Sequence, residues 1–445
     1  MTDRASRWPV YALAFLCAGL ALHNVAMAEL WDAGVRGNTL DVVAAWKEAL
    51  LGAAIVFALW QTRRLPLGTW ADRLALAYAV FVVVYALLPQ GWLDGEASAH
   101  ARLLALRHDL LPVAGYGLGR LLVLRREEIR LLRWVLVGTA VVVAVVGIVD
   151  VYTVSLQWWR DSGAPGWFRE QLGLDYEGLS GLPENFVYNP GDERPLRRLV
   201  STFLSPLASS YLLVVALLLL AARRRVEWWS AAIAVLLLAA LVLTHTRAAL
   251  LALAGGLVVL AIAQRRLAPV VLAGAVVLLG VASVGLYDRF APETRFTRTE
   301  LELQRAHAAE EPGASGDAFS ANESSLSSHW TNLRDGIDTV VHHPQGFGLG
   351  NAGVTAKRSG TRPRAGESTY TELGVEIGLV GALVFVAWNL ALLRELWRRS
   401  AWLAASLAAV LALALQTDVI GVHWLAVVVW GLCGAALGAE YDRAG

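Results

Sequence analysis

Residues 329–376 read HWTNLRDGIDTVVHHPQGFGLGNAGVTAKRSGTRPRAGESTYTELGVE. They close the longest polar segment, Tyr287 to Thr369, in a chain that is otherwise mostly apolar, and at Tyr370 they run directly into another apolar segment. Charge gathered at the mouth of an apolar span is costly to maintain, so a reaction site is expected here. Within the stretch, Trp330, Leu333, Ile337, Val340 and Val341 recur at helical spacing. Pro344 and the run Gly346, Gly348, Gly350 end that helix. GFGLG is not the G-x-G-x-x-G fingerprint and follows a helical pattern, so no nucleotide-binding motif is read. Upstream, Pro312 to Ala321 has the composition of a flexible tip.

The 445 residues are 56% hydrophobic and 17% charged, with a mean hydropathy of +0.51. Soluble domains have about 45–50% apolar and about 25% charged residues. Apolar runs long enough to cross a bilayer occur near 8–28, 40–60, 73–89, 103–124, 131–152, 201–222, 228–244, 246–264, 268–286, 370–393, 401–417 and 421–438. The expected fold is therefore an all-α polytopic membrane protein of twelve spanning helices. Between 228 and 264 only Thr244-His245-Thr246-Arg247 interrupts the run, and a single helix there would be too long for one crossing, so two helices with a tight turn are expected.

Arg63-Arg64, Arg125-Arg126, Arg130, Arg133, Arg223-Arg224-Arg225, Arg265-Arg266, Arg394 and Arg398-Arg399 fall in alternate loops, on the side where Arg4 and Arg7 precede the first span. The positive-inside rule makes that side cytoplasmic. Arg4, Arg7 and Ala26-Met27-Ala28 also resemble a signal peptide with a cleavage site, but the length of the run and the spans that follow favour an uncleaved first helix. The chain then divides into spans one to five (1–155), a first outer loop (156–200), spans six to nine (201–286), a large outer loop (287–369) and spans ten to twelve (370–445). In the first outer loop, Trp158-Trp159 and Trp167-Phe168 suit an interfacial anchor. Net charge of +1 gives no case for nucleic acid. Cys17 and Cys433 lie in apolar runs near opposite ends and supply neither a disulfide framework nor a metal site.

Several residues on the outer side carry candidate chemistry. Glu367 stands three residues before Tyr370, where it is either a general base or a carboxylate capping the helix that follows, a role Ser368 or Thr369 also fits. Glu376 falls inside the span, where an ionisable group costs about 2.5–3.5 kcal/mol, so it is expected to face protein or a wet cavity. Arg197 and Arg198 precede the sixth span and Arg247 sits at the 244–247 turn, outside the bias that places arginines in the cytoplasm. Their planar forks suit phosphate oxygens. Lys357, Arg358, Arg362 and Arg364 precede Glu367, with lipid headgroups or helix-end ion pairs as the alternative to phosphate. His245 is placed either to touch substrate or to cap a helix end, and His343 beside Pro344 either to touch substrate or to shape the glycine turn. Arg107, His108 and Asp109 lie inside an apolar run and are suspects by position, although Arg107 and Asp109 can neutralise each other. No H-x-x-x-H pair and no zinc spacing exists, so no metal is expected.

Four segments in order carry a resemblance. RRLVSTFLSPLASSY (197–211), LTHTRAALLALAGG (243–256), HHPQGFGLGN (342–351) and ESTYTELGVEIGLVG (367–381) are similar to motifs of the O-antigen ligase and lipid-linked glycan polymerase superfamily. The resemblance implies a GT-C-like bundle of about twelve helices in a bacterial inner membrane, with a large periplasmic loop and its active site on the periplasmic side. It implies a glycan donor on undecaprenyl diphosphate, a saccharide or lipid-linked saccharide acceptor, the bilayer itself and a chain-length co-polymerase as partners. It implies no cofactor and a metal-independent reaction. By the same likeness Arg198 and Arg247 hold the diphosphate, with His245, Arg364, Tyr370 and His343 further substrate contacts. The family's H-N-x-Y carries Glu367 in place of its histidine, three residues before Tyr370, which favours a polymerase-like or other non-standard use of the acceptor. A transporter or flippase of lipid-linked glycans is the competing class, but no likeness between the two halves of the chain supports it. A scaffold in an envelope complex is a third reading and gives no reason for the outer arginines.

Overall fold

The computed structural model describes residues 7–63, 65–190, 193–225, 227–310 and 324–438. Arg4, Arg64, Gly191 and the Pro312 to Ala321 tip lie outside the described residues. Every apolar run read from the sequence is met by helix. In order these are α1 (Trp8–Asp32), α2 (Asn38–Ala44), α3 (Trp46–Thr62), α4 (Trp70–Leu87), α5 (Ala99–Leu121), α6 (Arg126–Thr153), the short α7 (Leu156–Asp161), α8 (Pro206–Ala221), α9 (Trp228–Leu243), α10 (Arg247–Gln264) and α11 (Ala268–Phe290). After them come α12 (Arg298–Glu310), α13 (Ser324–His342), α14 (Gly353–Arg358), α15 (Thr369–Arg399), α16 (Ala401–Leu413) and a π-helical turn (Leu425–Val429) leading into α17 (Trp430–Ala436).

Six of these helices are long and apolar enough to cross a membrane by themselves, and α2 with α3 makes a seventh as one span bent by 41°. The helices Pro206–Ala221, Trp228–Leu243, Ala401–Leu413 and Leu425–Ala436 are apolar but shorter. Helix α5 carries too much charge to qualify on composition, which follows from Arg102, Arg107, Asp109 and Arg120 in its sequence.

Local chemistry sets the helix starts. Thr69 and Asp72 cap α4 reciprocally, at 3.1 and 2.9 Å. Ser205 accepts from the Ala208 amide at 3.3 Å, and Pro206 opens α8 where its missing N–H costs nothing. Helix α8 is apolar all round and is buried along nearly its whole length, as such a helix must be. It packs on α6, α9, α10 and α16. Helix α11 lies at the periphery and leaves Val271, Leu278 and Val281 exposed.

The first outer loop folds as a second small core. Trp159, Trp167 and Phe168 are buried with Met27, Trp31, Leu182 and Phe186. Of the four aromatic residues read as an interfacial anchor, only Trp158 is left largely exposed. Burial of three large aromatic side chains against α1 is worth more than interface contact, because each removes about 150–250 Å² from solvent. Strands β1 (Val187–Tyr188) and β2 (Leu196–Arg197) pair antiparallel, Val187 opposite Arg197, and set Arg197 and Arg198 in the segment that leads to α8.

Candidate functional site

Two polar regions are built on this frame. The first is the corner between α9 and α10. Helix α9 ends at Leu243 and α10 begins at Arg247, so the tight turn read at 244–247 is present, with His245 at φ +48°. Arg198 reaches into this turn: its Nε donates to the Thr244 carbonyl at 2.9 Å, and Nη2 faces the His245 carbonyl at 3.4 Å and Thr246 Oγ1 at 3.3 Å. Burial, and Arg247 nearby, pull the Arg198 guanidinium down to about 10. Two cations held close in a half-buried corner attract an anion. His245 packs against the rings of Tyr188 and Tyr287, with centroids 4.2 and 4.0 Å away. Burial and the two arginines drive its pKa down to about 3, so its imidazole is neutral. Arg197 turns away to Asp150, at 3.3 Å, and serves the scaffold.

The second region surrounds the start of α15. This helix is broken: Ile377 and Gly378 leave helical geometry, Gly378 at φ +73°. The break frees backbone groups, and the loop after α13 satisfies them. Phe347 N–H donates to the Val375 carbonyl at 2.6 Å, and Leu379 N–H donates to the Pro344 carbonyl at 2.8 Å. Gly346 makes this docking possible, because a Cβ there would stand 2.6 Å from the Gly378 nitrogen. The glycines that end α13 therefore insert against α15 and patch it, as irregular backbone within a bundle requires.

Helix α13 is present as expected, but only part of the expected face, Val340 and in part Leu333, is covered. Gly336 packs on Thr371 and Val340 on Gly374. Trp330, Ile337 and Val341 are exposed. Small residues at 336 and 374 let the two backbones approach, which outweighs burial of the larger apolar side chains.

Below the loop lies a set of buried ionisable groups. Glu376 is buried and accepts from the Gly350 amide at 2.9 Å and from Thr355 Oγ1 at 3.3 Å. It thus faces protein, as its position in the span demanded. Glu372, one turn earlier, is buried against Gly353. Opposite, His108 is held between two carboxylates, Asp109 at 2.8 Å and Asp418 at 2.9 Å. Arg107 and Asp109 do not neutralise each other; Arg107 approaches Glu48 at 3.6 Å instead. Successive residues of α5 point in different directions, so the two charges cannot share a face. Among the described residues no three of these side chains converge to hold a metal ion.

Glu367 stands at the rim. Its carboxylate meets His329 of α13 at 2.5 Å, with both side chains about two-fifths exposed. The His329 hydrogen bond, helped by Asn332 and Lys357, holds it below the ordinary carboxylate value. Its backbone has φ +71°, a left-handed conformation that is uncommon outside glycine and clusters at functional positions. It does not cap α15. Ser368 occupies that position, and its hydroxyl donates to the Ala414 carbonyl at 3.1 Å.

The remaining candidates take supporting places. Tyr370 sends its hydroxyl to the Leu411 carbonyl at 2.8 Å. His343 stacks on Phe347 at 3.9 Å, and the Arg364 guanidinium lies 4.3 Å from the same ring. Arg364 also pairs with Glu96 at 3.1 Å. Thus His343 and Arg364 meet through Phe347, and Arg198 and His245 meet at the turn. Among the described residues no hydrogen bond or ion pair joins Glu367 to Arg198. Reading along the chain missed His329, Glu372 and Asp418, although the charge of Glu372 within an apolar segment was visible.

Long apolar helices around buried ionisable groups, roofed by a folded polar cap, define a multi-pass membrane protein. Residues 232–386 match the family model described as O-antigen ligase. The match supports the O-antigen ligase and glycan polymerase superfamily for that part of the chain. It spans α9 through the break in α15, and so takes in His245, Arg247, His343, Arg364, Glu367 and Tyr370 but not Arg198 or His108. No curated protein matches the chain.

Proposed function

We propose that the protein transfers a glycan from an undecaprenyl-diphosphate carrier to a saccharide acceptor on the periplasmic side of a bacterial inner membrane. In this reading all twelve apolar helices span the bilayer and the segment 287–369 is the large periplasmic loop. The observation that carries it is the strained, partly exposed Glu367 paired with His329 at the rim of a cluster of buried ionisable groups. The acceptor hydroxyl attacks the anomeric carbon of the donor sugar. The bond from that carbon to the diphosphate oxygen breaks, and polyprenyl diphosphate leaves.

Glu367, kept ionised by His329, takes the hydroxyl proton as general base. Arg198 and Arg247 hold the leaving diphosphate, whose developing charge their corner stabilises. His343, Arg364 and Tyr370 set the loop and helix that carry Glu367. The carboxylate in place of the family's histidine favours polymerase-like use of a lipid-linked acceptor, with a chain-length co-polymerase as partner. Purified protein in nanodiscs, given lipid-linked donor and acceptor, should form a new glycosidic bond. Movement of donor across a bilayer with no new bond would mean a flippase instead.

A further inference from the structure

The outer end of the bundle holds a second gathering of cations that the transfer reading leaves unused. Lys47 opens α3 and is buried. Its Nζ donates to the Ala44 carbonyl at 2.8 Å, faces His23 Nε2 at 3.2 Å and stands 3.6 Å from Glu48. Arg107 reaches the other oxygen of Glu48 at 3.6 Å, beyond hydrogen-bond range. Arg358, at the end of α14, donates its Nε to the Leu172 carbonyl at 2.9 Å and lies within electrostatic reach of both Lys47 and Arg107. Lys47 and Arg107 thus flank one carboxylate, with Arg358 close to both cations. The next acid, Asp41, is exposed, accepts from Gln171 at 2.7 Å and offsets part of the charge of Arg358, while Asp109 and Asp418 are engaged by His108.

The hydrogen-bonding capacity is also unspent. Arg107 Nε is buried without a hydrogen-bond partner, and neither Glu48 oxygen comes close enough to accept one from Lys47 or Arg107. Buried polar atoms in native proteins are paired as a rule, so a buried guanidinium Nε–H left without an acceptor, close to two further cations, points to an anion. Two planar forks and one point charge match the oxygens of a phosphate group.

We propose that Lys47, Arg107 and Arg358 form an anion site for a phosphate group on the acceptor, separate from the Arg198 and Arg247 corner. Assigning the phosphate to an acceptor rests on the transferase reading; binding itself does not. The two sites lie on different elements, Lys47, Arg107 and Arg358 on α3, α5 and α14, and Arg198 and Arg247 before α8 and at the start of α10. An acceptor anchored by phosphate at one side and a donor diphosphate at the other would bring their sugars together between them.

The test uses the full-length protein in phosphatidylcholine nanodiscs, with two probes: a hexose 1-phosphate and a short-chain phosphatidic acid. The wild type should bind at least one, the soluble probe if the phosphate belongs to a sugar and the lipid probe if it belongs to a headgroup. Arg107→Gln and Arg358→Gln should each weaken binding roughly tenfold or more, as loss of a charged hydrogen bond does. Glu48→Gln removes the competing carboxylate and should tighten binding several-fold. Misfolding would not produce that opposite sign. Arginine variants that bind both probes like wild type, or Glu48→Gln weakening binding as they do, would overturn the site. Phosphate binding with these signatures in a protein that forms no glycosidic bond would leave the site standing and remove the transferase reading.

Discussion

The α9–α10 corner and the start of α15 both put charge beside apolar helix, yet they use it differently. In the corner, Arg198 directs its Nε and Nη2 to the carbonyls and hydroxyl of residues 244–246, and His245 packs against two tyrosines. The cations are fixed in place by the fold. At α15 the charged groups sit around a broken helix, a docked glycine loop and a left-handed Glu367. The first region suits holding a charged group still, and the second suits moving a proton. Charge beside an apolar helix is therefore not one signal: its meaning depends on whether the surrounding backbone has already consumed it.

The sharpest way to break this contrast is at Arg198. Arg198→Ala removes its ties to the turn and should destabilise the protein by roughly 1.5–3 kcal/mol, besides ending transfer. Arg198→Lys cannot span the same acceptors with one ammonium and should recover stability only in part. Thermal unfolding in detergent alongside a transfer assay separates the two losses. An Arg198→Ala protein as stable as wild type would mean that the corner is not held by this side chain.

Next in size is Gly378→Ala. The substitution forces a side chain into φ +73° and brings its Cβ to 2.9 Å from the Pro344 and Gln345 carbonyls. A loss of about 1–3 kcal/mol is expected. Faster hydrogen exchange at residues 344–350 should accompany it, because the docked loop is what the change displaces. Unaltered exchange there would show that the loop does not depend on the break.

The smallest effect concerns pH. Glu367 is depressed mainly by its hydrogen bond to His329. A depressed carboxylate contributes stability above its unfolded pKa and loses it as pH falls through the lower folded value. Its action as a base follows the same limb, so activity should persist into acid below the ordinary carboxylate value. In His329→Ala the acid limb should move up toward that value. The shift is modest, since both side chains are partly exposed and solvent screens the pair. An unmoved limb would uncouple His329 from the carboxylate.

Much of the helical frame was legible because apolar length and caps are local properties. The 244–247 turn, the end of α13 at Pro344 and the inward position of Glu376 could all be read from single segments. What could not be read were meetings between segments far apart in the chain. His329 and Glu367 are 38 residues apart, and His108 and Asp418 are 310 apart. The face of α13 was read only in part, at Val340, because Gly336 and Gly374 carry no apolar weight in a periodic pattern although they permit close approach. The break at Gly378 was hidden inside an unbroken apolar run.

The central claim is that Glu367 removes the acceptor proton. Wild type and Glu367→Gln should be compared in the same nanodiscs, with a polyprenyl-diphosphate-linked donor and acceptor in a single turnover. The amide keeps the shape but cannot take a proton, so donor binding should be nearly equal while bond formation falls roughly 100- to 10,000-fold. Equal bond formation by the two proteins would contradict the account.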